Sequence, residues 1–217
     1  MGIKIQRIGS EQADICVELG FKAFQHDLLN RSVLPDPMTP EQEKEYLDWR
    51  KSRARKRLEV YGHHLTLSVE STGEVLGYAG WNGPAAKSVG PPPMEGRPTW
   101  VNIEPFDELL SAIEASRKEL GYADRTDYWY LQSLAVHPDH WGKGVAGKLL
   151  QYSLQELVDR DGVEALLEST PAARRTYTRW GFQEVKQLPL MNGQYISTVM
   201  VRPAQQKTNE AMANEEP

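Results

Sequence analysis

The sequence predicts an α/β (α+β) fold on a mixed central sheet. Short runs rich in β-branched and aromatic residues alternate along the chain with segments whose apolar residues return every three or four positions. The stretch from 128 to 168 reads strand, helix, strand, a unit that closes as a right-handed parallel crossover. Hairpin signals before and after it add antiparallel neighbours.

Ile3, Ile5 and Ile8 around Lys4, Gln6 and Arg7 make a short alternating strand. Ser10 and Glu11 start a helix whose apolar face (Ile15, Val17, Leu19, Phe21, Phe24, Leu28, Leu29) runs to about Asn30. Pro35, Pro37 and Pro40 break the chain, and a second helix follows from Glu41 to about Val60. Strand-like runs at 64–69 and 75–81 flank the turn residues Ser71-Thr72-Gly73. Residues 82–104 are rich in Pro and Gly, and Phe106–Leu120 forms a helix ended by Gly121, so 82–125 reads as an insertion placed to cover a site. The second half continues with a strand at 128–136, a helix at 142–160, a strand at 163–168 and a short helix at 171–180. A final hairpin, 182–190 and 194–202, turns through Met191-Asn192-Gly193. The expectation is one domain over 1–202 and a polar, acidic, disordered tail over 203–217.

Composition narrows the functions. The chain has 217 residues, with 25 basic against 30 acidic side chains and a net charge of −5, which argues against a nucleic-acid partner. Cys16 is the only cysteine, so a disulfide framework and a cysteine-based zinc cluster are excluded, and no metal is expected. No apolar run reaches the ~18 residues of a membrane span, and Met1–Arg7 lacks a secretory signal's apolar block. A cytoplasmic protein, monomer or homodimer, is the expectation. The basic run Arg50–Arg57 reads first as the solvated face of the second helix, its cations placed late where the helix dipole favours them. A nuclear address or a contact to a polyanion is the other reading of that run.

The most informative segment is Leu134-Ala135-Val136-His137-Pro138-Asp139-His140-Trp141-Gly142-Lys143-Gly144-Val145-Ala146-Gly147-Lys148. Glycines let a backbone turn tightly, and free amides at a helix start point at phosphate oxygens, so this is an anion cradle. Gly142, Gly144 and Gly147 spell the dinucleotide pattern G-x-G-x-x-G, with Glu168 about 20 residues on. Gly142 to Lys148 also spells the start of a P-loop, but Leu149 lacks the oxygen that loop needs for magnesium. Five residues, His137 to Trp141, separate the strand from the first glycine, which a dinucleotide fold does not allow.

The same residues resemble motif A of the GNAT superfamily of acetyl-CoA-dependent N-acetyltransferases, Q/R-x-x-G-x-G/A. Gly144 and Ala146 fill its last two key places, and Trp141 stands where Gln or Arg is usual. Downstream, Ala173, Tyr177, Gly181 and Phe182 resemble the family's motif B, with Thr170 where Asn is common. Leu167-Glu168-Ser169 before Thr170-Pro171 is similar to fungal-type small-molecule acetyltransferases.

The resemblance implies a GNAT-like sheet whose parallel strands splay apart, with helices on both faces and acetyl-CoA in the gap. The pantetheine arm would pair with the backbone of Leu134, Ala135 and Val136, and the diphosphate would sit on Trp141, Gly142, Lys143, Gly144, Val145, Ala146 and Gly147. Thr170, Ala173 and Tyr177 would complete the cofactor site. The implied reaction is direct attack by the primary amine of a small molecule on the thioester, with the Val136 amide facing the oxyanion and the Tyr177 phenol meeting the departing thiolate. Glu168 ends the second splayed strand and is the candidate base or anchor, with His137, Gln132 and Ser133 as further candidates beside it. Phe24, Tyr78, Trp81 and Trp129 are the candidate acceptor-binding residues, with Tyr46 and His26 nearby. Two alternatives stay open: a nucleotide (NAD-type) dependent enzyme, and a non-catalytic acyl-CoA-binding module.

Overall fold

The computed structural model describes residues 2–60, 64–70, 72–84 and 95–205. Seven strands form one sheet in the order β1-β2-β3-β4-β5-β7-β6. These are β1 (Ile3–Arg7), β2 (His64–Glu70), β3 (Val75–Asn82), β4 (Tyr128–Val136), β5 (Glu164–Ser169), β6 (Gln183–Leu190) and β7 (Tyr195–Arg202). Only β4 and β5 pair in parallel, across the predicted crossover; the other neighbours are antiparallel. The helices are α1 (Ala13–Ala23), α2 (Leu28–Ser32), α3 (Pro40–Val60), α4 (Glu104–Glu119), α5 (Val145–Ser153) and α6 (Arg174–Thr178). A π-helical segment, Leu154–Asp159, continues α5. Among the described residues no helix is long and apolar enough to cross a membrane.

Two predicted helices differ at their starts or in their middles. The single helix expected from Ser10 to Asn30 is two. α1 stops at Ala23, the chain turns, and the Asp27 carboxylate accepts the Asn30 N–H at 3.2 Å to cap a new start for α2. The apolar face spans both pieces, so periodicity alone does not reveal the break. The helix expected from Gly142 begins at Val145, because Gly142 and Gly144 hold φ of +73° and +78°, the left-handed region. Of the predicted tail, Pro203–Gln205 are exposed and 206–217 lie outside the described residues, as do Pro91-Pro92-Pro93.

The sheet separates two unlike interiors. On the α5 side, Leu76, Trp81, Trp129, Leu149, Leu150 and Met200 belong to one continuous apolar core. On the α1, α3 and α4 side the apolar clusters are smaller, one around Cys16, Leu19 and Tyr78 and another around Tyr122, Tyr128 and Leu166. A bulge in β4 marks where the strand changes duty. Gly80 pairs with Ser133 but Trp81 pairs with Leu131, so Gln132 is an extra residue on β4. Trp129 and Leu131 face the α5 core below the bulge, while Leu134 and Val136 face it above.

Candidate active site

The parallel strands come apart. Pairing between β4 and β5 runs from Tyr128↔Glu164 to Leu131↔Leu167 and stops there, although β4 continues to Val136 and β5 to Ser169. Which β4 backbone groups face the gap follows from the register with β3. The His137 N–H donates to the Leu76 carbonyl at 2.9 Å, and hydrogen-bonded positions alternate along an antiparallel pair. Ala135 and Ser133 therefore turn their N–H and C=O groups to β3, while Leu134 and Val136 turn theirs to the gap. Ala135, expected beside those two as a backbone partner of the pantetheine arm, is committed to the sheet.

Beyond β4 the chain makes a short 3₁₀ turn (Pro138–His140) and enters the glycine loop. The Trp141 indole N–H donates to the Val136 carbonyl at 2.8 Å, latching the loop back onto the strand end, while the ring stays half exposed. Beyond the adjoining residues, no atom of the described residues lies within 4 Å of where a Cβ would stand at Gly142 or Gly144, so the glycines serve conformation. The N–H groups of Val145, Ala146 and Gly147 form the first turn of α5 and have no partner within the helix. Amides and positive φ fit a diphosphate. Lys143 and Lys148 are exposed beside it.

On the other face lies a cavity of about 860 Å³ between α1, α3, α4 and the ends of β4, β5 and β7. Phe24 and Tyr78 line it, as do Tyr46, His26, Gln132, Ser133, Glu168 and Thr170. Trp81 and Trp129 do not. Both alternate to the α5 face, where Trp81 is fully buried and the Trp129 indole donates to Asp161 at 2.8 Å. They pack the core behind the sheet, and the cavity wall is made by Tyr78 and Tyr130, which face the other way on the same two strands. The insertion does reach the site. Helix α4 contributes Phe106, Leu109 and Ile113 to the wall and ties to β5 through Arg117.

Glu168 is that tie. Its carboxylate, 5% exposed, takes the Arg117 guanidinium at 3.2 Å and the Tyr130 hydroxyl at 2.5 Å. Burial works against the Arg117 charge, but Glu168 and the neighbouring tyrosines override it and hold the guanidinium above its ordinary value. Burial and then the Glu168 charge push the Tyr130 phenol up, so it stays a donor. A carboxylate already engaged by two donors is better suited to anchoring than to taking a proton. Gln132 presents a buried Oε1 with no partner among the described residues. His137 accepts the Asp139 N–H on its own ring nitrogen at 3.4 Å and does not line the cavity: it is a turn residue.

Tyr177 sits in the α5-side core, edge-on to Phe182 with ring centroids 5.9 Å apart and Ala173 packed against the same cluster. Burial pushes its phenol up, which keeps the hydroxyl protonated, and that hydroxyl has no hydrogen-bond partner among the described residues. Sequence reasoning missed Arg117 and Tyr130, and its first reading of the basic run, a solvated helix face, holds for only part of it. Lys51 and Arg55 pair with Glu18 and Asp14 of α1, whereas Arg50, Arg53 and Arg57 face the cavity. The signal was available: Tyr46, Trp49, Arg50, Arg53, Ala54, Arg57 and Leu58 share one stripe at helical spacing.

Comparison with solved structures shows the same fold at low identity. A histone acetyltransferase HPA2-related acetyltransferase from Corynebacterium glutamicum superposes with a TM-score of 0.62 at 19% identity, covering 96% of this chain and 99% of that one. A polyamine N-acetyltransferase from Drosophila melanogaster gives 0.59 at 14%, covering 93% and 100%. The PaiA N-acetyltransferase from Thermoplasma acidophilum, solved with coenzyme A, gives 0.53 at 9%, covering 94% and 99%. No curated protein matches the sequence. The family match is Acetyltransferase (GNAT) family, over residues 26–182, more than half of the chain. The splayed β4–β5 pair, the glycine turn and this match together place the chain in the GNAT acetyltransferase family.

Proposed function

We propose that the protein transfers the acetyl group of acetyl-CoA to the primary amine of a small molecule, by direct attack of that amine on the thioester. The observation that carries this reading is the gap between β4 and β5, with an amide-lined turn beyond the end of β4 and a cavity lined by Gln132 and Ser133 of β4 and Glu168 of β5. Acetyl-CoA supplies an activated acyl carbon, and the rest falls to the chain. The gap-facing backbone of Leu134 holds the pantetheine arm as an added strand would, while the Val136 carbonyl is taken by the Trp141 indole. The amides of Gly142 to Gly147 hold the diphosphate, with the positive φ of Gly142 and Gly144 shaping the turn.

The nucleophile must arrive neutral and lose a proton during attack. The Gln132 Oε1, without a partner among the described residues, orients the acceptor amine or a water by accepting an N–H or O–H, and Ser133 stands next to it on the same wall. The amine's proton passes through water to solvent, which in turn lets coenzyme A leave as the thiol. The Val136 N–H donates to the oxyanion as the tetrahedral carbon forms. The Tyr177 hydroxyl, protonated and without a partner among the described residues, donates to the departing sulfur. Glu168 anchors the cavity floor through Arg117 and Tyr130.

Thiol release from acetyl-CoA, measured against a panel of amines, amino acids and peptides, tests the proposal. Tyr177→Phe is expected to lower kcat about a hundredfold, the low end for a positioned proton donor, with coenzyme A affinity unchanged. Unchanged turnover removes Tyr177 from the mechanism. A rise in Tm with NADH and none with acetyl-CoA would favour the dinucleotide reading instead, and binding of acetyl-CoA with no transfer to any acceptor would favour a non-catalytic module.

A further inference from the structure

Three guanidiniums line the acceptor cavity from one helix. Arg50, Arg53 and Arg57 lie at i, i+3 and i+7 on α3 and point into the space bounded by Tyr78, Tyr130 and Gln132. Along the helix axis they span about 10 Å. The acids that line the same cavity are already engaged. Glu168 is paired with Arg117, and Asp36 is paired with Arg31 at 2.9 Å. Neither Arg50 nor Arg57 has a carboxylate within ion-pair distance among the described residues. Arg50 instead donates to the Tyr46 hydroxyl at 2.7 Å, and Arg53 stacks its guanidinium 5.3 Å from the Trp49 ring centroid.

The arrangement is costly without a ligand. Burial, with Arg53 and Arg50 close by, pushes Arg57 down to about 10 from its ordinary 12.5. Partly desolvated guanidiniums with no carboxylate beside them among the described residues, such as Arg50 and Arg57, suit an oxyanion, which they bind through forked, charge-assisted hydrogen bonds. The cofactor's diphosphate has its own site on the far side of the gap, at the α5 turn, so these arginines serve the acceptor side.

We infer that Arg50 and Arg57, on the cavity-facing stripe they share with Arg53, form an anion-binding wall of the acceptor cavity, and that the acceptor carries a carboxylate or phosphate in addition to the amine that is acetylated. This rests on the acetyl-transfer reading above. Arg57 lines the cavity with Tyr78 and Tyr130, and Gln132 follows Tyr130 by two positions on β4. Anion and amine are thus held on one small molecule that bridges α3 and the strand end.

Matched acceptor pairs decide it: dipeptides beside their C-terminal amides, and phosphoethanolamine beside ethanolamine. The charged member of one series is expected to have a kcat/KM at least tenfold higher; a preference among the peptides means carboxylate, and one for phosphoethanolamine means phosphate. Arg57→Gln should erase that preference, Arg57→Lys should restore part of it, and neither should change KM for acetyl-CoA. Equal use of charged and neutral acceptors overturns the inference, as does a preference that survives Arg57→Gln. A higher KM for acetyl-CoA in that variant also overturns it, since the arginines would then serve the coenzyme. If no acceptor turns over, calorimetric titration of the coenzyme A-loaded protein with N-acetyldipeptides and with phosphoethanolamine takes its place. Saturable binding weakened at least tenfold by Arg57→Gln supports the wall, and no saturable binding overturns it. Arg50→Gln replaces Arg57→Gln in every arm if the latter does not fold. Coenzyme A binding, measured by itself, tests the acetyl-transfer reading separately: protein that binds coenzyme A and acetylates neutral amines equally well loses only the anionic wall.

Discussion

On the α5 side of the sheet, Trp81 and Trp129 stand among leucines with almost no exposure. On the α3 side, Phe24 and Tyr46 stand near three arginines around a cavity of about 860 Å³. The same residue types do opposite work on the two faces, and strand alternation, not residue type, assigns them. One face is close-packed and sets stability. The other leaves room, carries charge, and is the face on which substitutions should change kinetics more than folding.

The widest separation between the faces is expected from a pair of truncations. Trp81→Ala should cost about 3–5 kcal/mol of stability, as emptying a packed aromatic site does. Phe24→Ala, on the cavity wall, should cost about 1 kcal/mol and act mainly on acceptor KM. Urea unfolding measures both, and comparable losses would break the comparison. A smaller effect is expected where charge enters the cavity wall. Glu168→Gln leaves the Arg117 guanidinium without its carboxylate, and because Arg117 is 26% exposed the loss should be about 1–3 kcal/mol, below that of a fully buried pair. Adding Arg117→Met should recover part of it, a coupling that a double-mutant cycle reads directly.

The mildest test uses Cys16, which lines the cavity from α1 yet is 5% exposed. Burial pushes its thiol up to about 12 from 9.0. The folded chain therefore keeps the proton where the unfolded chain gives it up, so this contribution to stability is intact below about pH 9 and is lost as pH rises toward 12. A thiol reagent at pH 8 should label the native protein at least tenfold more slowly than the urea-unfolded chain. Above pH 9 the unfolded rate should level off while the native rate keeps climbing. Equal rates at pH 8 would mean that the α1 side of the cavity is open to solvent.

Much of this was legible in the sequence, and the parts that were not share a cause. The strands, the parallel crossover and the glycine turn are written in local pattern, and each lies within a residue or two of its expected place. The break between α1 and α2 was hidden because one apolar stripe crosses it and only the Asp27 cap marks it. Trp81 and Trp129 were assigned to the acceptor pocket because composition does not say which face of a strand a residue takes. Arg117 and Tyr130 went unremarked because their meaning depends on Glu168, a partner 51 positions from the first and 38 from the second. The arginines of α3 are the instructive case: helical spacing separates residues 50, 53 and 57 from 51 and 55, but a run of basic letters conceals it.

The extra residue at Gln132 has a consequence for how the strand end is divided. An uninterrupted strand would carry its odd-numbered side chains to one face throughout, sending Ser133 and Ala135 into the leucine core and Leu134 and Val136 into the cavity. The single insertion reverses parity in mid-strand, so a stretch that begins as a structural plank ends with small and polar groups toward the cavity and the main-chain groups of Leu134 and Val136 toward the gap. Deleting Gln132 would therefore leave a plain alternating strand with Ser133 and Ala135 still toward the cavity, and would remove only the amide that the bulge supplies.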